Sequence, residues 1–240
     1  MPPPLPNMLT VATWKWRGTR EFTSDHVNAL FRAVADNLNL PHRFVCITDD
    51  ASGLDDNITA IPLPQFDHIK VRPGFPSCYI RLKAFEPEFA KNIGERILTL
   101  DLDTAITGNI TSLVDRNEDI VLWRCENHRK IKYQGGMHLM DAGARPQVWN
   151  DFKGDESYEA TKRLGLVGSD QAWLTHVLPD DEACWVKTDG IAKTRDCKRS
   201  IPAWARMVHF SGLIKPWTVV CKDKYPHLYK AWSEYADVCK

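Results

Sequence analysis

Short apolar runs alternate with amphipathic segments along the first part of the chain. The run LTVATW, Leu9 to Trp14, predicts a strand, and a side chain at Ser24 or Asp25 would cap a helix after it. The apolar residues of that helix recur at helical spacing, at Val27, Leu30, Phe31, Val34 and Leu38. The run RFVCIT, Arg43 to Thr48, predicts a second strand. This alternation of strand and helix is typical of an α/β protein.

Later apolar runs predict further strands and helices. The strand runs are RILTL (Arg96 to Leu100), DIVLWR (Asp119 to Arg124), GGMHLM (Gly135 to Met140) and ARMVHF (Ala205 to Phe210). The helical segments are YIRLKAF (Tyr79 to Phe85, interrupted or restarted by Pro87), SDQAWLTHVL (Ser169 to Leu178, capped by Ser169) and a tail from Trp217 to Lys240. The proline-rich segment from Leu54 to Pro76 is expected to be mostly loop with one short strand. We therefore predict a Rossmann-like α/β fold, with a mostly parallel central sheet flanked by helices, in one domain covering residues 1–240.

Composition and charge narrow the class of protein without indicating a function. The 240 residues include 31 basic and 31 acidic ones, so the net charge gives no sign of a polyanionic partner. Seven cysteines, an odd number with no C-x-x-C pair, predict reduced thiols and a cytoplasmic protein. We expect no signal peptide at MPPPLPNML, and no segment approaches the ~20 apolar residues that a membrane helix needs.

The strand RILTL runs directly into two aspartates, Asp101 and Asp103. Side chains two apart on a strand point the same way, so we expect Asp101 and Asp103 to form a carboxylate pair on one face at the carboxyl end of the strand, where open α/β sheets bind ligands. Two close carboxylates repel each other unless a cation joins them, and hard oxygen ligands suit Mg²⁺ or Mn²⁺. The alternative is a solvated turn followed by a helix cap.

A second informative stretch, HFSGLIKPW, begins at His209. It combines an imidazole that can be a third metal ligand, a glycine (Gly212) that lets backbone approach phosphate oxygens, and a lysine (Lys215) suited to a diphosphate. The alternative is a core histidine beside an ordinary turn.

Together these motifs resemble the GT-A glycosyltransferases of the glycogenin and bacterial lipooligosaccharide galactosyltransferase type. That family carries D-x-D and, near its end, H-x-x-G-x-x-K-P-W. Three further blocks agree in order, namely YIRLKAF, YQGGMHLMDAG (Tyr133 to Gly143) and GSDQAWL (Gly168 to Leu174). The resemblance spans roughly Leu9 to Trp217. It implies a hexosyltransferase that uses a nucleoside diphosphate sugar, expected to be a UDP-sugar, with Mn²⁺ or Mg²⁺ and with retention of configuration.

The resemblance also implies roles for individual residues. Asp101, Asp103 and His209 would hold the metal ion, and Asp101 would also touch the ribose. The other implied substrate contacts are Thr13 and Trp14 at the base, Arg81 and Lys83 near the nucleotide, Gly212 and Lys215 at the diphosphate, and Asp170 and Gln171 at the donor sugar. The catalytic residues would be Asp170, Gln171 and Lys215. Gln134 and Gly135 stand where the family usually has asparagine and alanine in contact with the donor sugar, so the identity of the sugar stays open.

Two other functions remain as alternatives. A nucleotidyltransferase also pairs carboxylates with a metal, but it would usually show a glycine-rich phosphate loop near the start, which this chain lacks. An inactive nucleotide- or glycan-binding module of the same fold is the other. The acceptor is open, with a glycan, a lipid-linked sugar or nucleic acid as candidates. Between Lys187 and Lys224 the chain has nine basic and three acidic residues, which predict either a contact with a phosphorylated acceptor or a solvated loop.

Overall fold

The structure, a computed structural model, describes residues 8–17, 22–65, 77–126, 128, 130–166 and 169–236. The strands are β1 (Leu9–Lys15), β2 (His42–Thr48), β3 (Ile58–Pro62), β4 (Arg96–Leu100), β5 (Thr104–Ile106), β6 (Ile120–Arg124), β7 (Tyr133–Asp141), β8 (Cys184–Trp185), β9 (Ile191–Lys193) and β10 (Met207–His209). The α-helices are α1 (Ser24–Asn37), α2 (Pro87–Ile93), α3 (Thr111–Val114), α4 (Gln147–Asn150), α5 (Asp155–Arg163), α6 (Asp170–Val177), α7 (Val219–Lys224) and α8 (Pro226–Ser233). Three 3₁₀ helices cover Ser77–Phe85, Lys187–Asp189 and Thr194–Cys197.

The central sheet has seven strands in the order β3-β2-β1-β4-β7-β6-β8. Strands β3, β2, β1 and β4 run parallel to one another, and β8 is parallel to β6. Strand β7 is antiparallel to both β4 and β6. Because β1 and β4 run in the same direction, their carboxyl ends meet at one edge of the sheet. This mixed but mostly parallel sheet, with helices on both faces, confirms the predicted fold class.

The two faces of the sheet are covered by different helices. On strand β1, Val11 belongs to the same buried cluster as Val27 of α1, and the next residue, Ala12, belongs to the cluster on the other face with Tyr79 and Phe85 of the long 3₁₀ helix. The same alternation continues across the other strands. Every residue of β1 is buried, as expected for a strand covered on both faces.

A second sheet of three short strands, in the order β5-β10-β9, places the later part of the chain beside the first sheet. Strand β10 is antiparallel to β5 and parallel to β9, and His209 lies opposite Thr104. Since β5 begins three residues after Asp101, this pairing brings HFSGLIKPW to the carboxyl edge of β4.

The predicted elements agree with the structure in position, with some differences in type and length. Strand β4 has the predicted bounds, and Ser169 caps α6, where its Oγ accepts a hydrogen bond from the Gln171 amide at 3.3 Å. The segment Tyr79 to Phe85 is part of a 3₁₀ helix, and Pro87 starts a new α-helix. The tail forms two helices, and residues 237–240 of it lie outside the described part, as do residues 66–76 of the proline-rich segment. Within the described ranges no helix has the length and apolar character required to cross a bilayer.

Candidate functional site

The two aspartates of D-x-D lie in the turn that joins β4 to β5. Strand β4 ends at Leu100, so the prediction that both residues continue the strand with side chains on one face is wrong. The Asp101 amide donates to Gly136 O at 2.9 Å, and Asp103 O accepts from the Phe210 amide at 3.0 Å. Asp103 is buried, at 8% exposure, whereas Asp101 is partly exposed.

Arg81 joins two of the predicted site carboxylates. Its Nη1 pairs with Asp101 Oδ1, and its Nη2 lies 2.5 Å from Asp170 Oδ2. Burial by itself would lower the pKa of Arg81, but the charges of Asp101 and Asp170 outweigh it and raise the pKa above its ordinary value. Both Nη groups therefore bind carboxylates of the site, and Arg81 holds the end of β4 against the start of α6.

Lys215 forms a buried ion pair with Asp103, through Nζ and Oδ2. Lys215 is 7% exposed, and the two residues are 112 positions apart in the chain. Burial raises the pKa of Asp103, and the nearby Asp101 charge raises it further, while Lys215 acts in the opposite direction. The lysine thus compensates a carboxylate that would otherwise be costly to bury.

The His209 imidazole is neutral, and one of its two ring nitrogens makes no hydrogen bond to the described residues. Its Nδ1 lies 3.0 Å from Thr104 Oγ1, and its Nε2 is buried and has no hydrogen-bond partner among the described residues. Burial lowers the pKa of His209 to about 4, although the charge of Asp101 opposes this. If the proton sits on Nδ1 and is donated to Thr104, the Nε2 lone pair is free to bind a cation. The ring packs on Trp123, with 4.4 Å between the ring centroids.

Two glycines at the start of β7 leave room for these side chains. A Cβ built on Gly136 would lie 3.0 Å from Asp101 Oδ2 and 3.6 Å from His209 Nδ1. A Cβ on Gly135 would lie 2.6 Å from Asp170 Oδ2, which is closer than side chains pack. At this point the β6–β7 register shifts, since Leu122 pairs with His138 but Trp123 pairs with Gln134. Gly135 therefore leaves space for a buried carboxylate.

The other predicted site residues divide into two groups. Trp14 and Gln134 are buried at the same edge, and Trp14 lines a small void of about 10 Å³ with Arg81 and Asp101, room for about one water molecule. Thr13 is fully buried and donates to Leu100 O at 2.8 Å, so its hydroxyl is already used within the sheet.

Lys83, Gly212 and Gln171 are placed differently. Lys83 Nζ turns away to pair with Glu86 Oε1 at 2.7 Å and lies over the Trp149 ring. Gly212 is exposed with φ +73°, and no atom lies within 4 Å of its Cβ position. Gln171 is half-buried, next to the Asp170 carboxylate that accepts from its amide at 2.9 Å.

The site contains side chains of the kind that bind a divalent cation, but its carboxylates are paired with the side-chain cations of Arg81 and Lys215. In the described ranges, no three histidine, cysteine, aspartate or glutamate side chains stand close enough to hold a metal ion as they are placed. The carboxylates of Asp101 and Asp103 are paired with Arg81 and Lys215 instead. Two carboxylates beside a neutral imidazole with an unused Nε2 are nonetheless a donor set that suits Mn²⁺ or Mg²⁺.

Sequence reasoning missed three residues that shape the cluster. Thr104 positions the His209 ring, Trp123 packs on it, and His138 is buried between Thr99 and Gln134, where burial lowers its pKa to about 4. Thr104 directly follows D-x-D, and this adjacency is the only signal the sequence offers for it.

With the fold and the side chains at this edge of the sheet described, the chain can be compared with known sequences and solved structures. No family model matches the sequence, and no curated protein sequence matches it either. Solved glycosyltransferases, however, superpose over nearly the whole chain. The expected resemblance to GT-A glycosyltransferases is therefore confirmed at the level of the fold.

One of these structures is the galactosyltransferase LgtC, solved with donor and acceptor sugar analogs. It has a TM-score of 0.63 and 13% identity, and the alignment covers 96% of this chain and 97% of that one. Glycosyltransferase GlyE of Streptococcus pneumoniae TIGR4 has a TM-score of 0.59 at 13% identity, covering 94% of this chain and 61% of GlyE. The bifunctional glycosyltransferase WbbM has a TM-score of 0.61 at 13% identity, covering 98% of this chain and 50% of WbbM. Identities this low establish a shared fold.

Proposed function

We propose that the protein is a metal-dependent glycosyltransferase that moves a hexose from a nucleoside diphosphate sugar, a UDP-sugar, to an acceptor hydroxyl with retention of configuration. One observation carries the proposal. Asp101, Asp103, His209 and Lys215, which are separated in the sequence, meet at the carboxyl edge of β4 in a fold shared with glycosyltransferases. Ligands of open α/β sheets bind at such an edge.

Asp101, Asp103 and His209 are the residues that would hold the cation. The unpartnered, buried Nε2 of His209 supports this assignment, because an unused buried nitrogen is costly unless it binds something. A bound dication supplies Lewis-acid stabilisation of the negative charge that develops on the departing diphosphate. Metal dependence also requires Lys215 to give up Asp103, and requires Asp101 to offer the cation Oδ2, the oxygen that Arg81 does not bind.

The remaining residues would bind and orient the donor. The Lys215 ammonium would leave Asp103 and pair with the diphosphate. The exposed turn at Gly212 would let backbone approach the phosphate oxygens. Asp170 would accept hydrogen bonds from donor-sugar hydroxyls. Arg81, with both Nη groups on carboxylates, acts as a positioning residue that fixes Asp101 and Asp170 relative to each other.

Retention results if the acceptor hydroxyl attacks the sugar on the same face from which the diphosphate leaves. Gln171 would lie near the anomeric carbon, but its neutral amide is a poor nucleophile, so we do not assign a covalent intermediate to it. The acceptor oxygen instead forms the new glycosidic bond as the bond to the diphosphate breaks. The acceptor proton passes to a leaving phosphate oxygen.

Donor hydrolysis tests this function without knowledge of the acceptor. The protein is incubated with Mn²⁺ and a panel of nucleoside diphosphate sugars, and release of free nucleoside diphosphate is measured. We expect turnover with one donor and a loss of about 10²–10³-fold in the Asp103→Ala variant, the usual cost of removing one electrostatic contact to the transition state. Asp151→Ala, at the exposed end of α4, is the control and should keep full activity.

The outcomes separate the alternatives. Nucleotide binding with no turnover of any donor would favour an inactive module and refute the proposal. Release of pyrophosphate from a nucleoside triphosphate would favour a nucleotidyltransferase. Proton NMR of the first sugar released, before it equilibrates between anomers, tests retention separately.

A further inference from the structure

A second cavity lies at the opposite end of the three-stranded sheet from His209. Its volume is about 460 Å³, which falls within the usual range of small-ligand sites. The floor is formed where β5 ends and β10 begins, and there the Thr107 amide donates to Arg206 O at 2.8 Å. Strand β10 runs from Met207 to His209, so the cavity and the metal-type cluster lie at its two ends.

The polar groups of the cavity are held in place by contacts outside it. The Arg116 guanidinium is paired with Glu118, with 2.5 Å between Nη2 and Oε1. The Arg206 stem crosses Gly190 so closely that a Cβ there would lie 2.7 Å from its Cγ, and its Nη1 donates to Asn109 O at 3.0 Å. Both arginines are therefore fixed hydrogen-bond donors rather than mobile surface charges.

The rim carries an aromatic ring that the fold does not bury. Trp204 is 39% exposed and sits in a turn closed by the Ala205 amide and Pro202 O at 2.9 Å. Lys187 Nζ lies 5.2 Å from its ring centroid and is itself tied to Asp196. A tryptophan beside fixed polar groups offers an apolar face and hydrogen bonds to one ligand.

The polar groups that line the cavity indicate which class of ligand it could bind. The hydroxyl groups of Ser112 and Thr188 supply donors, and Asp189 Oδ1 supplies an acceptor, as does the Thr107 hydroxyl, whose proton goes to Ala205 O at 3.2 Å. A fatty chain would leave these groups unsatisfied. The charge is too small for a polyphosphate, because Glu118 neutralises Arg116 and the lining carries one further carboxylate, Asp189, beside one further cation, Arg206. A pyranose ring fits this pattern, since it stacks its C–H face on an aromatic side chain and presents hydroxyls at its edge.

We propose that this cavity is a saccharide-binding site for an uncharged sugar unit, separate from the site of transfer. The inference rests on the proposed function in one respect: in a glycosyltransferase such a site would hold a distant unit of a glycan acceptor. It therefore favours a glycan over nucleic acid as the acceptor.

The test measures saccharide binding directly, without donor or metal. The full chain is titrated with neutral disaccharides (lactose, maltose, cellobiose and N-acetyllactosamine) by saturation-transfer NMR. We expect at least one to bind with millimolar affinity, about tenfold more weakly in Trp204→Ala and within about twofold of wild type in Trp204→Phe. Thr188→Trp, which fills the cavity from an exposed position without removing a buried group, should abolish binding.

Two controls make the result specific. Leu164→Ala removes another exposed apolar side chain outside the cavity lining and should bind sugar normally. Asp103→Ala should also bind normally, because it alters only the proposed site of transfer. Each variant is checked for a native fold by its one-dimensional NMR spectrum, and Asp103→Ala, which breaks the buried pair with Lys215, is measured well below its lowered melting temperature.

The inference is overturned if no disaccharide binds, if binding survives in both Trp204→Ala and Thr188→Trp, or if inorganic phosphate binds the same residues more tightly than any sugar. If binding is lost in Asp103→Ala but kept in Trp204→Ala, the sugar binds at the cluster around Asp103, and this result would also refute the inference. Failure of donor hydrolysis with saccharide binding intact would count against the proposed function alone.

Discussion

Replacing Lys215 with methionine tests whether its ion pair with Asp103 stabilises the fold. Methionine keeps most of the volume and the flexible stem, so the change removes the charge with little loss of packing. Both members of the pair are less than a tenth exposed. The substitution therefore leaves the Asp103 carboxylate buried beside Asp101 with no cation of its own.

The expected cost is large on the scale of protein stability. Removing one partner of a buried ion pair costs about 3–5 kcal/mol, because the remaining charge stays desolvated. For a chain of this size each kcal/mol corresponds to roughly 2–4 °C, so the melting temperature should fall by roughly 6–20 °C. The double variant Lys215→Met/Asp103→Asn removes the stranded charge as well and should recover most of the loss.

Urea denaturation in the presence of a chelator gives the free energy of unfolding of the wild type, both single variants and the double variant. The matched control is Lys187→Met, whose Nζ lies 2.6 Å from Asp196 Oδ1 but whose side chain is 47% exposed. An exposed pair contributes about 0–1 kcal/mol, so this control should unfold nearly as the wild type does. The reasoning fails if Lys215→Met costs no more than Lys187→Met, or if the double variant is no more stable than Lys215→Met.

Three further outcomes follow from the geometry of the cluster and from the half-buried His26. Gly135→Ala should displace the Asp170 carboxylate from Arg81 and lower donor turnover about tenfold or more, measured by hydrolysis; unchanged turnover would mean that Asp170 can move freely. His209→Phe keeps a ring on Trp123 but loses Nε2, so Mn²⁺ should raise the melting temperature of the wild type and much less that of the variant; an equal rise in both would exclude His209 as a ligand. Burial lowers the pKa of His26 to about 4, below its value of 6.5 in the unfolded chain, so stability present above pH 6.5 is lost as the pH falls towards 4. His26→Gln should make that loss smaller by about 2–3 kcal/mol in urea denaturation, and parallel pH curves for the two proteins would contradict the assignment.

The long buried strands could be predicted because their pattern is local. RILTL is a continuous apolar run bounded by charge, and the structure gives β4 the same limits. Strands β5, β8 and β9 have two or three residues each, too few to show a period of two, so the second sheet was not predicted. The 3₁₀ form of Ser77–Phe85 was missed for a similar reason, because its apolar residues also satisfy helical spacing.

The residues of the candidate site could be named from the sequence, but their partners could not. Asp101, Asp103, His209 and Lys215 stand out by motif, and the structure brings them to one edge. Which cation faces which carboxylate depends on pairings over long sequence distances, such as Arg81 with Asp170, and no local pattern encodes these. The same holds for the cavity at Trp204, whose lining comes from four separate stretches of the chain.

The pairing of Lys215 with Asp103 links the stability of the fold to the proposed chemistry. A lysine that binds a diphosphate must have an ammonium group that is not already paired. Here the Lys215 ammonium is paired with Asp103, a carboxylate that the proposed cation would need. Both demands are met if the cation takes over Asp103 and the diphosphate takes over Lys215, because each charge then keeps a partner of opposite sign throughout. It follows that metal and donor should bind with positive coupling, each strengthening the other, and that Asp103→Asn should weaken this coupling. Binding of the nucleotide diphosphate with equal affinity with and without Mn²⁺ would show that the two exchanges are independent.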